Sequence, residues 1–153
     1  RLIKELVFLN ITKLIIGNNR NQKQEINLYS KLENRNFCMI PFDKLIGILK
    51  YKCEENGIEC MEQEESYTSK ASFLNNDYIP DYDGENKKYE FSGWRNRRIY
   101  KIKGKEQRIH ADLNGAFNIM RKSGNELIEK IPNLKNKWIF PIGKFKVNNL
   151  NYA

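Results

Sequence analysis

Three carboxylates are the first candidates for chemistry. Glu64 and Glu65 are adjacent in QEESYTSK and follow a strand-like run, and Asp112 lies at the start of ADLNGAFNI. Carboxylates just past the carboxyl end of a parallel strand lie where α/β folds bind ligands. Mg²⁺ needs few protein carboxylates beside phosphate oxygens. The residues therefore indicate a Mg²⁺ site if the fold brings them together, although spacing alone favours a buried helix N-cap for Asp112.

A second candidate group mixes aromatic rings with positive charge. Residues 94–101, WRNRRIYK, place Trp94 among three arginines and Lys101. Aromatic rings stack on bases while Arg and Lys pair with phosphates. The stretch therefore predicts contact with nucleic acid, and the alternative is a solvated basic hairpin. The single histidine, His110, could act as a general acid or base, but a strand residue without a catalytic role is favoured.

The charge is unevenly distributed along the chain. The net charge is +8, yet residues 54–83 carry −8 between basic segments. An acidic block within a basic surface is what a metal-dependent nuclease needs, because carboxylates hold cations and Lys/Arg hold phosphates. Two alternatives stay open. Some of the lysines reflect the codon bias of an AT-rich genome, or the block only solvates one face through Glu54, Glu55, Glu59 and Glu62.

The first elements predict an α/β fold. Residues 1–9 have helical spacing and end at Asn10, and residues 13–18 form a short β-branched run. A second helix begins at Pro41 and extends to a stop at Gly57, and residues 58–63 alternate like a strand. This helix–strand–helix–strand order indicates at least one parallel crossover.

The second half of the chain has a different character. Residues 71–110 are punctuated by Pro and Gly and rich in aromatics, which indicates short strands and turns. Residues 111–122 predict a helix. Residues 18–36 predict a loop, residues 123–131 predict a further helical stretch, and residues 138–145 predict a strand or an anchored tail.

Composition excludes several classes of protein. The chain has 153 residues, 40% of them hydrophobic, which suits one domain. It lacks an apolar run of about 18 residues, so a membrane span is not expected. Lys4 and Glu5 interrupt the first apolar residues, so no signal peptide is predicted and we expect a cytoplasmic protein. Cys38, Cys53 and Cys60 form no C-x-x-C pair, which predicts reduced cysteines.

Two motifs resemble those of the OrfB/TnpB proteins of insertion sequences, a family related to the type V CRISPR effector nucleases. They are EESYTSKASFLNNDYIP at 64–80 and RIHADLNGAFNIMRK at 108–122. The shorter segments LIIGNN at 14–19 and FSGWR at 91–95 agree with them, as do INL and NF–IPF between these segments. The resemblance runs from about residue 3 to residue 122.

The resemblance implies a partial RNase H-like, RuvC-type nuclease fold made of residues 1–70 and 108–122. It implies a small, mostly β nucleic-acid-binding subdomain inserted at 71–107, and a basic tail at 123–153. It further implies RNA-guided DNA cleavage with Mg²⁺, with DNA and guide RNA as partners and a nucleoid-associated location. The residues predicted to contact nucleic acid are Lys70, Trp94, Arg95, Arg97, Arg98, Lys101 and Arg108.

The sequence departs from the family pattern at three points. Gly17 stands where the family usually has a metal-binding Glu, so Glu64 or Glu65 is expected to replace it, while Asp112 matches the third ligand. Residues 71–110 contain no cysteine, so no zinc is expected and packing must hold the insertion together. The family's first-strand Asp has no counterpart after Arg1, which predicts part of a longer nuclease that does not cleave alone.

Two further hypotheses compete with that interpretation. The chain could be a decayed or truncated transposase remnant without activity, or a protein-interaction module whose aromatic and basic insertion binds an acidic partner. The nuclease relationship predicts salt-sensitive binding to single-stranded nucleic acid. A sharp thermal unfolding transition would count against the remnant, and crosslinking in lysate with and without nuclease treatment would separate the interaction module from the nuclease relationship.

Overall fold

The computed structural model describes residues 1–18, 41–82 and 87–124. These residues form two compact units, of which the first spans residues 1–66 and the second begins at Tyr67. Both combine helices with small sheets, as the α/β prediction requires. The predicted loop after residue 18 and the elements predicted beyond residue 124 lie outside the described residues. The domain boundaries drawn from the family stay a prediction.

The first unit contains helix α1 (Leu2–Phe8), strand β1 (Lys13–Asn18), helix α2 (Phe42–Glu54) and strand β2 (Glu59–Glu64). The strands are parallel and in continuous register along all six residues of each. This confirms the predicted parallel crossover. Strand β2 begins and ends one residue later than predicted, because its first residue pairs with the first residue of β1. Glu64, which was expected just after the strand, is therefore the last residue of β2.

Both helices of this unit end on a left-handed residue. Asn10 has a φ of 52° and Gly57 a φ of 67°. In each case the next amide bonds back to a carbonyl five residues earlier, at 2.9 Å, which is the Schellman arrangement. Each reversal is followed within three residues by a strand, so local chain turns set where β1 and β2 begin.

The second unit contains strands β3 (Gly93–Asn96), β4 (Ile99–Ile102) and β5 (Arg108–His110), followed by helix α3 (Ala111–Lys122). The strands form an antiparallel sheet in the order β3-β4-β5. This confirms short strands in the aromatic-rich region, and α3 has the predicted bounds. The core cluster and the side chains packed against it are Tyr100, Ile109, Ala111, Leu74, Leu113 and Phe117.

Strand β3 packs closely on β4 at Gly93. A Cβ atom at Gly93 would lie 2.3 Å from the carbonyl oxygen of Lys101 and 2.6 Å from Cε1 of Tyr100. Only glycine leaves room for this approach, which accounts for the glycine in FSGWR.

Two buried asparagines attach the loop before the sheet to α3. Asn114 accepts from the Phe73 amide at 3.0 Å and donates to the Ala71 carbonyl at 2.8 Å. Asn118 donates to the carbonyls of Thr68 and Ala71, both at 2.8 Å. These side-chain amides bond to backbone groups of the loop. The segments TSKAS and ADLNGAFN are therefore physically linked.

Asp77 joins two separate stretches of backbone. Its Oδ2 accepts from the amides of Ser72 at 2.8 Å and Ser92 at 2.9 Å, an arrangement that we call the Asp77 clasp. Burial alone would raise the pKa of Asp77, but these bonds and the charge of Arg121 outweigh it and lower the pKa. The prediction that packing holds this region together is thus incomplete, because a charged hydrogen-bond centre contributes as well.

Candidate nucleic-acid interface

Three predicted contact residues form one row across the second sheet. Trp94 on β3 lies opposite Lys101 on β4, and Lys101 lies opposite Arg108 on β5. Directly opposed residues share a face of a sheet. The adjacent row contains Tyr100 and Ile109, which are buried in the core. The row of Trp94, Lys101 and Arg108 therefore lies on the face opposite the core, where the indole is 47% exposed.

Other predicted contact residues lie beside this row. Arg97 and Arg98 form the turn between β3 and β4 and are both exposed, with Arg97 at a φ of 53°. Lys70 lies in the loop before the sheet, where its ammonium group is 5.7 Å from the centre of the Tyr67 ring. Its carbonyl accepts a 2.6 Å hydrogen bond from Tyr100. The turn thus adds two cations at one end of the sheet, and Lys70 belongs to the loop.

The Arg95 side chain contacts both its own hairpin and α3. Its Nη2 is 3.1 Å from Oδ1 of Asp112, and its Nε donates to the carbonyl of Arg97 at 2.9 Å. Arg95 belongs to the core-facing row, but β3 is an edge strand, so the side chain extends past the core to the start of α3. The structure therefore pairs a predicted nucleic-acid contact with a predicted metal ligand.

Asp112 is exposed in the first turn of α3. His110 is the N-cap, and its Nδ1 accepts from the Asp112 amide at 3.3 Å. The side chain of Asp112 is 67% exposed. The alternative that Asp112 is a buried N-cap is therefore wrong, because the residue two positions earlier caps the helix. The interpretation of His110 as a strand residue is confirmed, with the addition of this capping bond.

Glu64 and Glu65 lie at the end of β2 in the first unit. The Glu64 carboxylate accepts from the Ser66 amide at 2.6 Å. Burial and then the neighbouring charge of Glu64 raise the pKa of Glu65. Within the described parts of either unit, no three Asp, Glu, His or Cys side chains come together as a metal site. The assignment of Glu64, Glu65 and Asp112 to Mg²⁺ stays a prediction.

A polar cleft of about 460 Å³ lies beside α2 in the first unit. Glu62 lies in its wall, and its carboxylate accepts from Asn18 Nδ2 and Lys50 Nζ, both at 2.5 Å. Sequence patterns did not distinguish Glu62 from the other acidic residues of its block, because its partners are 44 and 12 residues away. The cleft is lined by Asn18, Asp43, Ile46, Gly47, Lys50 and Glu62.

The comparison with protein families decides the relationship. The profile of the Cas12f1-like, TNB domain family matches residues 42–119, which is more than half of the chain. The chain belongs to this family. The match covers α2, β2, the whole second sheet and most of α3, and so includes both the Trp94 row and the pair of Arg95 and Asp112.

A curated relative supports the wider family. The TnpB-like protein ORF457 of Acidianus two-tailed virus is 30% identical over 130 residues, which are 85% of this chain and 24% of that protein. The chain thus spans about a quarter of the length of this relative. No solved structure matches the chain. The predicted OrfB/TnpB membership is confirmed, and it relates the TNB-domain chain to the transposon-associated nucleases.

Membrane insertion finds no support in the helices of this TNB-domain chain. None of those within the described ranges is long and apolar enough to cross a bilayer.

Proposed function

We propose that the second unit binds single-stranded nucleic acid, as the contact region of an RNase H-like, RNA-guided DNA nuclease of the TnpB type. The observation that carries the proposal is the row of Trp94, Lys101 and Arg108 on the sheet face opposite the core. An exposed indole in register with two cations suits one base and its flanking phosphates.

The dimensions of the row fit a strand without a complementary partner. Neighbouring strands lie about 4.8 Å apart, so the row extends about 10 Å across the sheet. A duplex would hide its base faces, whereas a single strand can stack a base on Trp94. Stacking of this kind contributes about 1–3 kcal/mol per base. The arginines of the hairpin turn extend the positive surface beyond the row.

The metal-dependent part of the function is proposed from the family resemblance. Glu64, Glu65 and Asp112 are the residues that would hold Mg²⁺, which neutralises phosphate charge and activates water when bound. Burial and then repulsion from the adjacent Glu64 carboxylate raise the pKa of Glu65, and a divalent cation would relieve that repulsion. The exposed carboxylate of Asp112 is accessible to a cation from solvent.

Binding of a labelled single-stranded oligonucleotide, followed by fluorescence anisotropy from about 50 to 300 mM KCl, tests the proposal. The two cations of the row and the two arginines of the hairpin turn together predict a slope of about −3 for log K against log salt. These four residues are Lys101, Arg108, Arg97 and Arg98. Trp94→Ala should weaken binding about 5- to 100-fold through lost stacking. Lys101→Ala should reduce the steepness of the slope by about 0.7.

Two variants serve as matched controls. Tyr78→Ala removes another exposed ring of the second unit, which lies outside the sheet, and should leave binding unchanged. Lys44→Ala is the control for Lys101→Ala, because it removes one positive charge from the exposed surface of α2 in the first unit. Affinity that does not respond to salt, or equal losses for Trp94→Ala and Tyr78→Ala, would reject the proposal.

A further inference from the structure

The guanidinium group of Arg95 is held at two points. Nε donates to the carbonyl of Arg97 within its own hairpin, and Nη2 donates to Asp112 on α3. The first contact fixes the plane of the group, and the second uses its outer edge. That edge is the part with which arginine binds the oxygens of phosphates and carboxylates. Arg95 is therefore oriented but already occupied.

Besides Arg95, the ring of His110 lies near the Asp112 carboxylate. His110 Nδ1 lies 3.8 Å from Oδ2 of Asp112, but the same nitrogen accepts from the Asp112 amide. The contact of Asp112 with Arg95, at 3.1 Å, is shorter than the one with His110. The first turn of a helix favours negative charge. Arg95 is thus the cation paired with Asp112.

We propose that Asp112 masks Arg95 from nucleic acid, so that their ion pair lowers the affinity of the second unit for nucleic acid. This inference rests on the proposed function. A guanidinium group binds the oxygens of a phosphate and of a carboxylate in the same way. A phosphate and the Asp112 carboxylate therefore compete for the same edge of Arg95. Both side chains are exposed, at 47% for Arg95 and 67% for Asp112. Exposed ion pairs are weak, so a phosphate can displace the carboxylate.

A double-mutant cycle on nucleic-acid affinity tests the competition. Binding of the same oligonucleotide is measured in EDTA for the natural chain, Asp112→Ala, Arg95→Ala and the double variant. Asp112→Ala should tighten binding about 2- to 5-fold, equivalent to about 0.4–1 kcal/mol. In the Arg95→Ala background the same change should have less than half of that effect. The non-additive part measures the masking.

Asp81→Ala is the matched control. Asp81 is an exposed carboxylate of the second unit that pairs with Lys122 at 3.1 Å, so its loss changes net charge equally without releasing Arg95. Circular dichroism melts verify that each variant is folded. If Asp112→Ala tightened binding equally with and without Arg95, or if Asp81→Ala tightened it as much, this inference would be overturned and the proposed function would stand. Salt-insensitive binding by the natural chain would overturn the proposed function as well.

Discussion

The two units differ in what they bury and what they expose. The described part of the first unit buries only Cys53 and Ile58 almost completely, whereas the second unit buries the polar residues Asn114 and Asn118 beside Tyr100. Most of the exposed large apolar side chains belong to the first unit. They are Leu2, Val7, Phe8, Leu9, Ile11, Leu45, Ile48 and Tyr51.

This contrast shows two ways of ordering a short chain. The first unit relies on left-handed helix ends and strand register, and α2 carries exposed apolar side chains. The second unit has a small apolar core, and buried amides fix the positions of its loops. Buried polar groups favour the arrangement in which their hydrogen bonds are made. The candidate interface thus lies on the unit with the more specific interior.

Asn114→Ala should have the largest effect on this comparison. It leaves the Phe73 amide without its partner and the Ala71 carbonyl with one donor, Asn118, in place of two, which should lower the free energy of unfolding by about 2–4 kcal/mol. Asn118→Ala should cost less, because Asn118 Oδ1 finds no donor among the described residues and its removal ends that penalty. Urea unfolding followed by circular dichroism measures both. An equal or larger loss for Asn118→Ala would contradict this account.

Asp77 should make the second unit sensitive to acid. Its pKa is lowered in the folded state, so its contribution is present above the ordinary Asp pKa of about 3.9 and is lost as pH falls through the folded value. Asp77→Asn should cost about 1–3 kcal/mol at pH 7 and reduce the acid dependence. Urea unfolding at pH 7 and pH 3 measures both effects. Asp81→Asn, at an exposed site, should change neither, and an unchanged pH profile for Asp77→Asn would refute the clasp.

The smallest effect is expected on the exposed side of α2. Leu45→Gln and Ile48→Gln should each change the free energy of unfolding by less than about 0.5 kcal/mol, because both side chains are 48% exposed. Ile58→Ala, at a 5% exposed position of the same unit, should cost about 2–4 kcal/mol. Thermal unfolding of the three variants makes the comparison. Losses above about 2 kcal/mol at Leu45 or Ile48 would mean that this face is covered.

Elements governed by local patterns were predictable from the sequence. Residues 13–18 and 111–122 match β1 and α3 at both ends, and Gly57 ends α2 as its conformational freedom suggests. These features depend on spacing and backbone preference within a few residues. Pairings between distant residues, such as Arg95 with Asp112, depend on strand register and on the direction in which an edge strand faces. Neither can be read from composition.

The buried side of α3 shows why polar cores escape pattern analysis. The apolar residues of this helix suggested where its packing lies, but the almost completely buried positions are Ala111, Asn114 and Asn118. Hydrophobic periodicity assigns asparagine to the surface. Here its amide is buried because a neighbouring loop has backbone groups to satisfy. The spacing of two asparagines by one helical turn, with apolar residues around them, was the available clue.

The Asp77 clasp bears on the cellular conditions under which the second unit can stay folded. Loops held by a thiolate-bound metal separate when a chelator removes the ion or an oxidant attacks the sulfur. Residues 61–153 contain no cysteine, and the carboxylate that joins Ser72 to Ser92 is part of the chain itself. The attachment between these loops is therefore independent of cellular zinc supply and of redox poise.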